Sequence, residues 1–181
     1  MPQYKAPLRD IQFVTNELLD TETHYQHIPG GEEATPDMVN AIIQEGAKFC
    51  EQVLSPLNQT GDQEGCTLEN GEVKTPTGFK EAYKQYIEGG WPSMTADEEL
   101  GGQGLPGSLS MVMSEMVGTA NWSFGMYPGL SHGCLNTLEA HGSEEQKQTY
   151  LPKMISGEWT GTMCLTESHC GSDLGIMRSK A

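Results

Sequence analysis

The chain has 181 residues, enough for one domain with a sizeable core. Its 10 Lys and Arg stand against 25 Asp and Glu, a formal net charge of −15, and so acidic a surface repels nucleic-acid phosphates and anionic membranes. No apolar run approaches the length of a membrane span, and the segment Met1-Pro2-Gln3-Tyr4-Lys5 carries neither a secretory apolar region nor an Arg-rich transit pattern. The five cysteines (50, 66, 134, 164 and 170) are odd in number and mostly far apart, which fits reduced thiols in a cytoplasmic protein better than a disulfide framework.

Most of the chain reads as helix. Asp10 is placed to cap a helix over 11–19 with Ile11, Val14 and Leu18 on one side. Residues 20–34 hold Gly30-Gly31 and no periodicity, and read as loop. Thr35-Pro36 is a cap followed by a first-turn proline. Beyond it, Met38, Ile42, Phe49, Val53 and Val39, Ile43, Cys50, Leu54 form two adjacent ridges on a helix expected to end near Pro56. Asn70-Gly71 between Leu68 and Val73 predicts a small hairpin.

A helix near 77–88 presents Phe79, Ala82, Tyr83, Tyr86 and Ile87, and Gly89-Gly90 stops it. Residues 91–107 read as irregular. Further helices fit 108–120, about 130–141, and a segment opened by the capping box Ser143-Glu144-Glu145-Gln146, which Pro152 should kink or end. Gly157 closes the helical part. After it, Trp159, Gly161, Met163 and Leu165 alternate with period 2 and predict a strand that runs into the small, polar turn Thr166-Glu167-Ser168-His169-Cys170-Gly171-Ser172-Asp173.

Several motifs lose their chemistry on inspection. Gly102-Gln103-Gly104-Leu105-Pro106-Gly107 matches the dinucleotide fingerprint in letters, but Asp97-Glu98-Glu99-Leu100 is a poor strand before it, so it reads as a turn between helices. Cys164, Glu167, His169, Cys170 and Asp173 are metal-ligand types at a spacing that matches no zinc pattern, and no metal site is assigned. His169 and Cys170, as neighbours on an extended strand, should face opposite ways and make no nucleophile pair. Ser172 lacks the glycine two residues earlier that a nucleophile elbow needs. His24, His27, His132 and His141 read as surface or capping residues, and Glu98 and Glu115 as lone solvated acids. The Thr166–Ser172 turn is different. Small residues let a ligand approach the backbone there, and hydroxyls and free N–H groups cluster at a strand end, which suits a polar ring edge and a phosphate.

That turn resembles the flavin-binding signature of the acyl-CoA dehydrogenase family. Tyr4-Lys5-Ala6-Pro7-Leu8-Arg9-Asp10 is similar to the N-terminal extension of the family's long type. Gly90-Trp91-Pro92, Gly101-Gly102-Gln103-Gly104, His141-Gly142-Ser143-Glu144-Glu145-Gln146-Lys147 and Tyr150-Leu151-Pro152 follow in the family's order, and Leu165-Thr166-Glu167 to Gly171-Ser172-Asp173 closes the match. The resemblance implies a mainly α fold: an extension over 1–34, the helical N-terminal domain over 35–157, and over 158–181 the first strand or strands of the middle β-domain.

The resemblance further implies FAD contacts at Met163, Leu165, Thr166, Gly171 and Ser172. Thr166 would hydrogen-bond the flavin ring, and Ser172 would lie near the FAD pyrophosphate and the pantetheine arm of the CoA substrate. It implies acyl-CoA as substrate, an electron-transfer flavoprotein as electron acceptor and a homo-oligomer. The family's catalytic glutamate belongs to a C-terminal bundle, so no residue here is assigned as the base, and the 181-residue chain alone is expected to be inactive. The family usually has proline after Thr-Glu where Ser168 stands, a change that loosens the turn. Two other classes fit the letters: a non-catalytic helical binding or assembly module of the same descent, and a metal-dependent hydrolase using Cys164, His169 and Cys170.

Overall fold

A computed structural model describes residues 3–180; Met1, Pro2 and Ala181 lie outside the described residues. The N-terminal helix α1 (Leu8–Gln12) continues through a π-helical stretch, Phe13–Leu18, into the single turn of α2 (Thr21–Tyr25). The helix expected over 11–19 therefore starts earlier, with Pro7 rather than Asp10 at its N-cap. Asp20 is the capping residue here: its carboxylate accepts from the Thr23 amide at 3.5 Å, so part of the expected loop is helical. One turn is too short to show a period in sequence.

Helix α3 (Pro36–Phe49) opens as its letters dictate, with Pro36 in the first turn and the Thr35 hydroxyl accepting from the Met38 amide at 3.4 Å. The ridge Val39, Ile43, Cys50, Leu54 is buried, whereas Met38 of the companion ridge is exposed. The helix does not stop at Pro56. It passes through a second π-helical stretch, Cys50–Leu54, into α4 (Ser55–Glu64). A π turn widens the coil just ahead of the proline ring and relieves the contact that an α-helical carbonyl would make with it.

The hairpin β1 (Thr67–Glu69) and β2 (Glu72–Lys74) pairs Leu68 with Val73 in antiparallel register, and Asn70 and Gly71 both take positive φ, as a two-residue primed turn requires. Helix α5 (Phe79–Glu88) leads to two 3-10 turns, Trp91–Ser93 and Glu98–Leu100. The glycine turn then folds back on this segment: the Gly102 amide donates to Asp97 O at 2.8 Å and the Gly104 amide to Ala96 O at 3.0 Å. A Cβ on Gly102 would sit 1.9 Å from Ala96 O, so backbone packing alone explains that glycine.

Helix α6 (Gly107–Ala120) is followed by α7 (Trp122–His141), which begins well before the expected 130. Asn121 starts it: Oδ1 accepts from the Phe124 amide at 3.0 Å while Nδ2 donates to Leu54 O at 3.2 Å. Helix α8 (Glu144–Ile155) opens on the capping box, the Gln146 amide donating to Ser143 Oγ at 3.3 Å and the Ser143 amide to Gln146 Oε1 at 2.9 Å. Pro152 does not end it. The bond it forfeits falls on the Gln148 carbonyl, and Gln148 is exposed to water. Gly157, at φ +76°, closes the helical part.

The core sits where α3, α5, α6 and α7 meet. Phe124 is fully buried, its ring centroid 5.9 Å from that of Tyr86, 6.2 Å from Phe49 and 6.3 Å from Phe79. Gly46 lets α3 approach α6, since a Cβ there would lie 2.8 Å from Met113 Sδ. A second, smaller cluster joins Leu135 of α7 to Leu151, Met154 and Ile155 of α8 and to Ala96. Among the described residues no helix is long and apolar enough to cross a membrane.

Candidate functional site

The run after Gly157 is fastened to the helices before it reaches the turn. The Trp159 amide donates to Lys153 O at 3.0 Å, and the Lys153 ammonium lies 4.4 Å above the Trp159 ring. The Gly161 amide then donates to Ser131 Oγ on α7 at 3.1 Å. The approach is close: a Cβ on Gly161 would lie 2.5 Å from Cys134 Cβ. The strand expected from Trp159 to Leu165 forms no ladder among the described residues, because no second strand lies beside it. The period-2 pattern therefore sorts nothing into a core, and Trp159, Met163 and Leu165 are all exposed.

The turn itself is compact. Glu167 and Cys170 exchange backbone bonds, the Glu167 amide to Cys170 O at 2.9 Å and the Cys170 amide to Glu167 O at 3.3 Å, with Ser168 and His169 as the two residues between. Thr166 and Gly171 thereby face each other, a Cβ on Gly171 meeting Thr166 Cγ2 at 3.8 Å. Thr166, Gly171 and Ser172 are exposed, as are Met163 and Leu165. Cys170 is buried and Glu167 half-buried. The Glu167 carboxylate accepts the Ser179 amide at 2.8 Å and the Arg178 amide at 3.0 and 3.2 Å. The bonds from Ser179 and Arg178 hold that carboxyl below the ordinary glutamate value.

The tight turn overturns the expectation that His169 and Cys170 face apart. Glu167, His169 and Cys170 offer ligand-type atoms that lie within 4.8 Å of one another. The ring and the carboxylate are already engaged within the fold: His169 Nε2 lies 3.1 Å from Ile176 O and 3.4 Å from Glu167 Oε2. Cys164 is exposed and is not part of this group.

Beside the run lies a cavity of about 210 Å³ between α6, α7 and the Trp91–Ser93 turn, lined by Trp91, Met113, Val117, Trp122, Leu135 and Met154 among others. An apolar cavity of about 150 Å³ holds a benzene ring, so this volume is on the scale of a small organic group. Tyr83 and Tyr86 also line it, and burial raises both phenols above their ordinary value, so they stay neutral. Among the described residues no Asp or Glu lines it. Ser131 belongs to the same wall and is also the anchor of Gly161, so the cavity and the start of the polar turn share a residue. Nothing in the letters marked Ser131, because glycines and Pro128 hid the first half of α7. His24, His27, His132, His141, Glu98 and Glu115 are exposed.

Comparison with known proteins gives a family match. Residues 37–158 match the model of the acyl-CoA dehydrogenase N-terminal domain. The chain is 41% identical over 178 residues to 3-methylmercaptopropionyl-CoA dehydrogenase of Ruegeria pomeroyi, covering 98% of this chain and 30% of that one. It is 33% identical over 180 residues to a butyryl-CoA dehydrogenase of Syntrophomonas wolfei, covering 98% of this chain and 29% of the relative. It thus spans about three-tenths of these relatives' length. In fold it is similar to butyryl-CoA dehydrogenase of Megasphaera elsdenii, with a TM-score of 0.65 at 19% identity, covering 78% of this chain and 35% of that one. A chain described under the electron transferring flavoprotein of Acidaminococcus fermentans superposes with a TM-score of 0.65 at 23% identity, over 77% of this chain and 34% of that one.

Proposed function

This chain belongs to the acyl-CoA dehydrogenase family, and we propose that it is the N-terminal part of an FAD-dependent enzyme that removes hydrogen from Cα and Cβ of an acyl-CoA thioester. Residues 1–34 are the extension, 35–157 the helical domain and 158–181 the start of the β-domain. Met163, Leu165, Thr166, Gly171 and Ser172 contact FAD, and Ser172 also meets the substrate's pantetheine arm. The observation that carries this reading is the Ser131–Gly161 bond, which sets an exposed run of apolar side chains, hydroxyls and small residues against the wall of an apolar cavity.

The residues present fit the flavin. Met163 and Leu165 are apolar and exposed, and a flavin ring would cover them. Gly171 lets the backbone come close, and the Thr166 and Ser172 hydroxyls can donate to ring heteroatoms or phosphate oxygens. When bound, FAD supplies the oxidant for the Cα–Cβ bond. The chain's own part is to bind, orient and exclude water: the cavity takes the acyl tail, and its neutral tyrosines and aromatic walls favour an apolar one. An electron-transfer flavoprotein as acceptor, a homo-oligomeric whole protein and a cytoplasmic location complete the reading.

Titration of the chain with FAD tests it. Retained flavin absorbance after gel filtration is the expected result. A colourless, stable monomer would instead favour a helical binding module.

A further inference from the structure

One residue of the turn ties its two limbs together. Glu167 pairs through its backbone with Cys170, which closes the near side of the turn. Through its side chain it reaches the far side, where the chain returns after the 3-10 turn Leu174–Ile176: Oε1 accepts from Ser179 at 2.8 Å and Oε2 from Arg178 at 3.0 Å. His169 adds a third tie, its Nε2 lying 3.1 Å from the Ile176 carbonyl. Everything between 168 and 177 is a loop whose ends this carboxylate holds together. The residues assigned to flavin lie at the loop's edges: Thr166 directly precedes Glu167, and Gly171 and Ser172 directly follow Cys170.

The alternatives to this clasp are weaker. A metal held by Glu167, His169 and Cys170 would have to compete for a carboxylate that already accepts two backbone amides and a ring nitrogen that already faces two acceptors. A surface acid with no role would face solvent, whereas the Glu167 side chain is only 17% exposed in a turn where Cys170 is buried and the neighbours Thr166, Ser168, Gly171 and Ser172 are open to water. A carboxylate is the side chain best suited to take several N–H groups at once, because it offers two oxygens, about four lone-pair sites in all, and no donor. A glutamine keeps the shape but presents an NH₂ to one of the two amides.

We infer that Glu167 is the positioning residue of this turn: its carboxylate clasps the returning limb at Arg178 and Ser179 and so sets Thr166 against Gly171 and Ser172 in the arrangement that the flavin reading requires. The inference rests on that reading for its purpose, and on the turn alone for its geometry. The groups facing the carboxylate are the His169 ring, the amides of Arg178 and Ser179, and the Ser179 hydroxyl. The bond to each amide is charge-assisted, so it weakens when the carboxyl takes up a proton.

Nuclear magnetic resonance of the full 181-residue chain tests this, with Glu167→Gln as the variant and Glu158→Gln as the control. In Glu167→Gln, amide exchange at Arg178 and Ser179 speeds up on the order of tenfold, as expected for losing a hydrogen bond to a charged group. The Thr166 and Ser172 resonances move with it, while the control leaves all four residues unchanged. In the wild type, acid moves the Thr166 and Ser172 signals together with the Glu167 carboxyl carbon, below the ordinary carboxylate range. Should Glu167→Gln fail to fold, that titration decides alone. Unmoved Thr166 and Ser172 signals, in the variant or through the titration, overturn the inference. Added FAD decides the flavin reading separately: a wild-type chain that shows the clasp and binds no FAD keeps the positioning role and loses the flavin.

Discussion

The Ser131 hydroxyl, midway along α7, accepts from the Gly161 amide at 3.1 Å and donates to the Tyr127 carbonyl at 3.1 Å. It is buried, and both of its roles are used within the protein. Ser131→Ala removes the acceptor and leaves the Gly161 amide without that partner, at a cost of about 1–3 kcal/mol. Hydrogen exchange should quicken at Gly161 and stay slow in α3 and α6. Unchanged exchange at Gly161 would mean that the bond does not hold the run.

Gly161 is the other half of this contact. A methyl group there would meet Cys134 Cβ at 2.5 Å, a distance that side chains do not adopt. Gly161→Ala must push the run away from α7, and overpacking of this kind costs about 1–3 kcal/mol. Cys134→Gly in the same chain makes room, so the double variant should recover stability lost by the single one. Thermal melts of the two variants check it.

How much of this was legible in the letters depends on whether a local rule was decisive. Thr35-Pro36, Asn70-Gly71 and the Ser143–Gln146 box each name their structure through side chains that act on adjacent backbone, and each is where it was expected. Proline misled in both directions. Pro56 reads as an end and Pro152 as a kink or an end, yet a π-helical stretch accommodates the first, and the helix runs on through the second, where Gln148, four residues earlier, is exposed. The first half of α7 was missed because Gly125, Pro128 and Gly129 interrupt its apolar spacing, and it forms because Asn121 caps it and Phe124 fills the core. The polar turn was visible as a turn with ligand-binding chemistry. Its clasp was not, since Glu167 and Ser179 are 12 residues apart and no local rule links them. The expected strand before the turn failed for a physical reason: a ladder needs a neighbour, and sequence pattern supplies only one side of it.

Asn121 joins two helices that are distant in sequence, and it is almost wholly buried at 1% exposure. Its Oδ1 caps α7 and its Nδ2 satisfies the Leu54 carbonyl at the end of the π-helical stretch. Asn121→Ala loses the cap and strands that carbonyl, so the cost should reach about 2–3 kcal/mol. For a domain of this size each kcal/mol lowers the melting temperature by about 2–4 °C. Asn121→Asp keeps the cap and still loses the donor, so it should also melt early. A wild-type melting temperature in either variant would contradict the bridge.

Acid should release the N-terminal segment before the helical core. Glu51 accepts from the Lys5 ammonium at 2.6 Å and from the Ala6 amide at 2.9 Å, and these bonds hold its carboxyl below the ordinary glutamate value. A depressed folded value means that the contact is intact above the unfolded value and is lost as pH falls through the folded one. Proteolysis near Tyr4 to Leu8 should therefore accelerate below the carboxylate range, and Glu51→Gln should show the same sensitivity at neutral pH. Lys5 is exposed but Glu51 is half-buried, so added salt should weaken the ionic part of the pair only in part. A cleavage rate that ignores both pH and Glu51→Gln would rule the contact out.

The flavin reading makes its sharpest demand on Thr166. It stands just before the clasped turn, exposed and opposite Gly171, while Cys164 lies two residues earlier and is exposed as well. Position alone does not separate them, so the distinction is chemical. A threonine hydroxyl donates a full hydrogen bond to a ring heteroatom, and removing one such bond to a group that is buried under the flavin costs about 1–3 kcal/mol. A thiol is a weak donor, and serine in its place keeps both size and polarity. In the flavin-loaded protein, Thr166→Val should weaken FAD binding by about 5- to 150-fold by that energy, or shift the flavin reduction potential, while Cys164→Ser should do neither strongly. Valine preserves the branched shape, so a loss cannot be laid to packing. Flavin titration and potentiometry of both variants decide it: equal affinity and an unchanged potential in Thr166→Val would remove Thr166 from the flavin contacts.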